Sequence, residues 1–333
     1  MRYQTLGILT LFAAVACQPK ETKKTMGTIE RLDPALDAIV SATAQPEIIA
    51  EGFEWSEGPC WIESTKTLIW SDVPRDTIFQ WSEEKGTSVY LTPSGYTGTI
   101  PRGGEMGSNG LTLTKDGKLV LCQHGDRRIA IMDAPLNKPE PKYITVVDNI
   151  DGKKFSSPND AVVRSNGDIF FTDPPYGLPN GVNDSTKETS FNGVYKASQG
   201  KATLLVDSLT RPNGIAFLPG EKTFIVANSD HEKAIWYAFD LTEDDSVTNA
   251  RVFYDATKES KAGEKGLPDG FRVDKNGNIF ASGPGGIWIF SREGKVLGKI
   301  KLTEPASNCA LSDDEKTLFI TNDMYILRVK LRD

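Results

Sequence analysis

No excess of positive charge runs through this 333-residue chain: 38 lysines and arginines face 45 aspartates and glutamates, a net charge of −7. Binding a phosphate backbone needs a basic face, so the balance argues against nucleic acid as a main partner. Cysteine is scarce, with four residues in all. Cys60, Cys122 and Cys309 lie far apart and form no C-x-x-C pair. They give neither a disulfide framework nor a zinc-site pattern, and are expected to be buried as small apolar side chains. The apolar run 6–15 is too short to cross a bilayer. No Gly-x-Ser-x-Gly elbow is present, which disfavours a serine hydrolase. No long stretch holds an apolar period of 3.6 residues, which disfavours an α/β fold. Hydrophobic residues still make up 38% of the chain, enough to build a core, and 30 glycines with 19 prolines imply many turns.

The N-terminus reads as a targeting segment. Arg2 supplies positive charge, the apolar run follows, and Ala14-Val15-Ala16-Cys17 resembles a bacterial lipoprotein cleavage site. Residues 1–17 are therefore expected to be a signal peptide with lipidation at Cys17; an ordinary secretory cut after Ala16 is the alternative. On either reading the protein is exported, with a periplasmic location and membrane contact only through the lipid. Residues 18–44, polar and rich in Lys and Thr at their start, read as a linker, and 45–333 as the catalytic domain.

Six segments of that domain share one form. Thr67-Leu-Ile-Trp-Ser-Asp72, Lys118-Leu-Val-Leu-Cys-Gln123, Asp168-Ile-Phe-Phe-Thr-Asp173, Thr223-Phe-Ile-Val-Ala-Asn228, Asn278-Ile-Phe-Ala-Ser-Gly283 and Thr317-Leu-Phe-Ile-Thr-Asn322 are short strand-like runs, each preceded by a turn signal. Asp116-Gly117, Asn166-Gly167 and Asn276-Gly277 are the strongest of these turns. The first apolar residues, Leu68, Leu119, Ile169, Phe224, Ile279 and Leu318, recur at intervals of 51, 50, 55, 55 and 39 residues. Such periods, with several strands per unit, predict an all-β, six-bladed β-propeller from about residue 45 onward.

Ten or eleven residues before each of those apolar positions stand Glu57, Asn109, Asn159, Asn213, Asp269 and Asn308. The innermost strand of a blade lines the central channel, so residues in equal phase form one ring around it. All six carry oxygen, and none is His or Cys. Oxygen-only donors suit a hard divalent cation, Ca²⁺ before Mg²⁺, Mn²⁺ or Zn²⁺, with Glu57 and Asp269 balancing its charge. Asn-Gly and Asp-Gly are also ordinary turn dipeptides. Six in phase, however, varying between Glu, Asn and Asp, fit one asymmetric site better than a repeated turn.

The chain resembles the family of gluconolactonases, regucalcin (senescence marker protein) and related lactonases, from about Glu51 to Val329. The resemblance is carried by Glu51-Gly-Phe-Glu-Trp-Ser-Glu-Gly-Pro-Cys-Trp61, Ser108-Asn-Gly-Leu-Thr-Leu113, Ser157-Pro-Asn-Asp160, Phe171-Thr-Asp-Pro-Pro-Tyr-Gly177, Arg211-Pro-Asn-Gly214 and Leu267-Pro-Asp-Gly270. It implies a propeller with one catalytic divalent metal, held by Glu57, Asn159, Asn213 and Asp269. Cys60 departs from the family, where Val or a like residue is commoner. The expected activity is hydrolysis of a sugar lactone, with Asp269 as base or nucleophile. Asn109, His124, Asp173 and Tyr176 are candidates for holding substrate hydroxyls. An organophosphate or ester hydrolase on the same site, or a non-catalytic exported propeller that binds a sugar or a protein, are the competing expectations.

Overall fold

A computed structural model describes residues 23–100 and 102–332. The expected signal peptide and the lipidation call at Cys17 lie outside the described residues. Among the described residues, six antiparallel sheets follow one another along the chain as blades: blade 1 (56–91), blade 2 (108–147), blade 3 (161–206), blade 4 (212–255), blade 5 (271–301) and blade 6 (306–330). Each of the first five blades is a meander of four consecutive strands. Blade 6 has three, Ala306–Leu311, Thr317–Asn322 and Tyr325–Lys330, and takes its outermost strand, Glu47–Glu51, from the other end of the chain. Ile48 faces Leu327 and Ala50 faces Ile326 in that pairing, so the ring closes by backbone hydrogen bonds rather than by packing alone.

The repeat explains the packing. The six apolar positions that set the period are all buried, from 0% to 3% exposed. They belong to six hydrophobic clusters among the described residues, one at each interface between neighbouring blades. Phe170, Phe224 and Phe239 fill the interface of blades 3 and 4, and Trp236, Trp288 and Phe290 that of blades 4 and 5. No blade can bury its own faces, and the ring buries all of them. The Gly turns act as expected. Gly117, Gly167 and Gly277 sit at φ of 78°, 93° and 89°, each closing a three-residue hairpin loop between the innermost and second strands. Cys60, Cys122 and Cys309 are free and buried, as expected.

The stretch expected as linker is corrected from Lys23 onward. Thr28–Arg31 forms a fifth strand on blade 5, antiparallel to Val296–Lys301. The turn of helix Pro34–Ala38 then buries Leu36 and, just beyond it, Val40 against blades 5 and 6. Arg31 holds this segment by donating to the carbonyl oxygens of Val40 and Ser41 at 3.1 and 2.8 Å. The fold therefore starts before residue 45. Polar composition hid three apolar side chains, Leu36, Ile39 and Val40, whose burial ties the segment down.

Candidate active site

Residues that share a phase in sequence share a place in space. Glu57, Asn109, Asn159, Asn213 and Asp269 line one cavity of about 640 Å³ at the channel mouth. The sixth, Asn308, is 1% exposed and lies beneath, with Nδ2 3.4 Å from both Glu57 Oε2 and Asp160 Oδ2. The inner strands meet too closely for side chains at the next position. A Cβ on Gly214 would stand 2.3 Å from the Asp269 carbonyl oxygen, and one on Gly270 1.9 Å from Asn308 Cγ. The Asn-Gly and Asp-Gly pairs are thus imposed by the radius of the channel rather than by a turn. Blades 3 and 6 depart from this pattern, blade 6 with Cys309 and blade 3 with Asp160, whose carboxylate lies 3.7 Å from Arg272 Nη1.

A second repeated set of side chains fixes the ring. The Ser71 hydroxyl donates to the Asn109 carbonyl at 2.9 Å, Thr172 to that of Asn213 at 2.6 Å and Thr321 to that of Asn308 at 3.1 Å. Asn213 Nδ2 donates to Ser229 Oγ at 3.1 Å, which sets the rotation of its amide. Each functional side chain therefore rises from a backbone pinned by its own or the neighbouring blade.

The ring leaves several buried acceptors without partners. Asn109 Oδ1, Asn159 Oδ1 and Asp269 Oδ1 are buried acceptors with no hydrogen-bond partner among the described residues. Such an atom costs about 1–3 kcal/mol when nothing satisfies it. Glu57 accepts from the Gly58 amide at 2.8 Å, yet burial, with Asp160 and Glu105 nearby, pushes its carboxyl up to about 8. Burial and the Glu57 charge push Asp269 well above the ordinary carboxylate range. Two carboxylates that resist ionisation beside unpartnered carboxamide oxygens fit a divalent ion: it would supply the missing partner and restore both charges. Among the described residues no group of three or more His, Cys, Asp and Glu is placed to hold a metal.

The substrate candidates divide. Asn109 and Tyr176 line the cavity. Asp173 does not: it is fully buried, with Oδ2 accepting from the Ser156 amide at 2.8 Å and Oδ1 from the Ser157 amide at 2.7 Å. It caps the approach to the inner strand of its blade, as Asp72 and Asn228 do in theirs. His124 is also buried and stands behind the lining, with Nδ1 3.5 Å from Glu105 Oε2. Burial and the neighbouring Arg102 push its imidazole down to about 3, so it is neutral. The sequence reading missed Arg211, Glu105, Ser229, Asp230 and Glu264, all of which line the cavity. Arg211, whose guanidinium carbon lies 5.9 Å from the centre of the Tyr176 ring, directly precedes Pro212-Asn213, a signal that could have been read. Glu105 and Glu264 come from irregular loops with no repeat to mark them.

Comparison with known proteins places this arrangement. The family model described as the SMP-30/Gluconolactonase/LRE-like region matches residues 55–323. A curated gluconolactonase of Zymomonas mobilis is 38% identical over 326 residues, covering 96% of this chain and 90% of that protein. A pentonolactonase of Haloferax volcanii is 25% identical over 274 residues, 80% of each chain. The solved structure of a gluconolactonase from Xanthomonas campestris superposes with a TM-score of 0.80 at 29% identity, covering 95% of this chain and 99% of that one.

Proposed function

The chain belongs to the SMP-30/gluconolactonase/LRE-like family, and from that premise we propose that it hydrolyses a sugar lactone of the gluconolactone type with a divalent cation, Ca²⁺, in its channel. The observation that carries the reading is the convergence of Asn109 Oδ1, Asn159 Oδ1 and Asp269 Oδ1, all unpartnered, on the cavity that Glu57 also lines. Glu57, Asn159, Asn213 and Asp269 would hold the ion; a set of oxygens alone favours calcium over zinc. When bound, such an ion acts as a Lewis acid that polarises the lactone carbonyl and stabilises the negative charge that develops on its oxygen.

The remaining work falls to the chain. A cavity of about 640 Å³ accommodates one sugar ring. Asn109 and Arg211 present an amide and a guanidinium for the hydroxyls and the carbonyl, and the Tyr176 phenol, pushed up by burial and by Asp269, stays protonated as a donor. Asp269 takes the proton of the attacking water. The irregular segments that bring Glu105 and Tyr176 over the channel restrict water around the substrate. The test is lactone hydrolysis before and after chelation with calcium restored; activity indifferent to chelation would refute the metal role.

The same reading extends to location. Arg2, the short apolar run and Ala16-Cys17 support export and a lipid anchor at Cys17. Cys17→Ser should move the protein from the membrane fraction to the soluble one, and an unmodified wild-type N-terminus would refute the anchor.

A further inference from the structure

Opening a lactone makes two demands on proton transfer. The attacking water gives up a proton, and the ring oxygen leaves as an alkoxide that must receive one. Asp269 is assigned to the first demand, and a second acid facing the leaving oxygen would meet the other. Two other acids along the cavity have partners: Asp230 accepts from the Glu232 amide at 2.9 Å, and Glu264 is ion-paired through Oε1 with Lys301 at 3.2 Å, while its Oε2 has no hydrogen-bond partner among the described residues. Glu105 is different. It lines the cavity without an ion-pairing Lys or Arg among the described residues, and its Oε2 lies 3.5 Å from His124 Nδ1. Neither ring nitrogen of His124 has a hydrogen-bond partner among those residues. The imidazole is wedged in place, since a Cβ on Gly177 would come within 2.6 Å of His124 Cβ.

We propose that Glu105 is the acid that protonates the departing ring oxygen, with His124 as its positioning residue. The inference rests on the lactonase reading above. In the step, the water oxygen bonds to the carbonyl carbon and one water proton passes to Asp269. The bond between the carbonyl carbon and the ring oxygen then breaks, its electron pair stays on the ring oxygen, and the Glu105 proton joins it. The second water proton remains on the product carboxyl. Asp269 loses its proton and Glu105 regains one through cavity water, which resets the site. Burial pushes the Glu105 carboxyl up to about 7, the direction a proton donor needs. The groups around the pair are Glu57 and Asp269 across the cavity and Arg102, whose Nη1 donates to the Gly125 carbonyl at 2.7 Å and whose Nη2 donates to that of Gly177.

The test compares two lactones that differ in leaving group. δ-Gluconolactone expels an alkoxide and needs the proton; dihydrocoumarin expels a phenoxide and needs it far less. Glu105→Gln should lower kcat on δ-gluconolactone by about 10²-fold or more, should lower that on dihydrocoumarin at least tenfold less, and should keep the wild-type calcium content. It should also abolish the fall in kcat on δ-gluconolactone that accompanies ionisation of Glu105 as pH rises. His124→Gln should shift that limb, and Glu105→Asp should restore part of the rate. Equal losses on both lactones, or an unchanged pH profile in Glu105→Gln, would overturn the assignment while leaving the lactonase reading intact. Failure of the wild type to hydrolyse either lactone would overturn both.

Discussion

Removing the bound cation should expose a pH-dependent instability that resides largely in Glu57. In the ion-free protein its carboxyl is pushed up to about 8 from an ordinary 4.5. A carboxyl raised on folding contributes stability that is intact below 4.5 and is lost as pH rises through 8, because the folded state holds the proton more tightly. At about 1.36 kcal/mol per pKa unit the full loss is about 5 kcal/mol. Asp269 is raised in the same direction and adds to it. With roughly 300 ordered residues and an unfolding entropy of about 2 cal/mol/K per residue, Tm should fall about 8 °C between pH 5 and pH 8.5. Glu57→Gln keeps the shape and removes the charge. The chelated variant should therefore have a flatter profile and melt above the chelated wild type at pH 8.5. With saturating calcium the order should reverse, because the wild type binds the ion and the variant binds it weakly. Scanning calorimetry of both proteins, with and without chelator, reads this directly. A chelated wild type whose Tm is constant or rises over that range would refute the reasoning.

Asp269→Asn should lose turnover by about 10²- to 10⁴-fold even at saturating calcium, measured by pH-stat on δ-gluconolactone; near-wild-type turnover would break the site assignment. Asn308→Ala removes the amide that bridges Glu57 and Asp160. Calorimetric titration should show calcium affinity about tenfold weaker or more, with turnover recovered at high calcium. Asp173→Ala leaves the amides of Ser156 and Ser157 unpartnered, so urea denaturation should show a loss of about 1–3 kcal/mol per amide. KM should stay unchanged, and a raised KM at unaltered stability would restore Asp173 as a substrate contact.

The ring was legible because propeller geometry turns sequence phase into spatial position. Glu57, Asn109, Asn159, Asn213 and Asp269 recur at one offset from a buried strand residue, and they meet at one cavity. Asp173, a candidate for holding substrate hydroxyls, stands at a different phase and is not part of the cavity lining. Every blade but the fifth, which has Gly283, carries a polar residue at the equivalent position of its second strand, and Asp72, Asp173, Asn228 and Asn322 serve there as local caps. Phase alone cannot tell an inward ligand from an inward cap; the hydrogen bonds do. Glu105 and Tyr176 reach the cavity from non-repeating segments, whose course depends on tertiary contacts such as those of Arg102 with Gly125 and Gly177. The N-terminal strand was hidden for a different reason. Thr28–Arg31 is almost wholly exposed and reads as polar, because it joins the outer edge of blade 5 where water covers one face.

The central claim is that four channel oxygens from Glu57, Asn159, Asn213 and Asp269 bind the ion on which lactone hydrolysis depends. Anomalous diffraction from crystals grown with calcium tests it most directly. The expected result is one peak in the channel, about 2.3–2.6 Å from an oxygen of each of the four side chains, absent from Asp269→Asn crystals that have also lost lactonase activity. A wild-type channel without a peak, in crystals whose dissolved protein still hydrolyses the lactone in chelator, would contradict it.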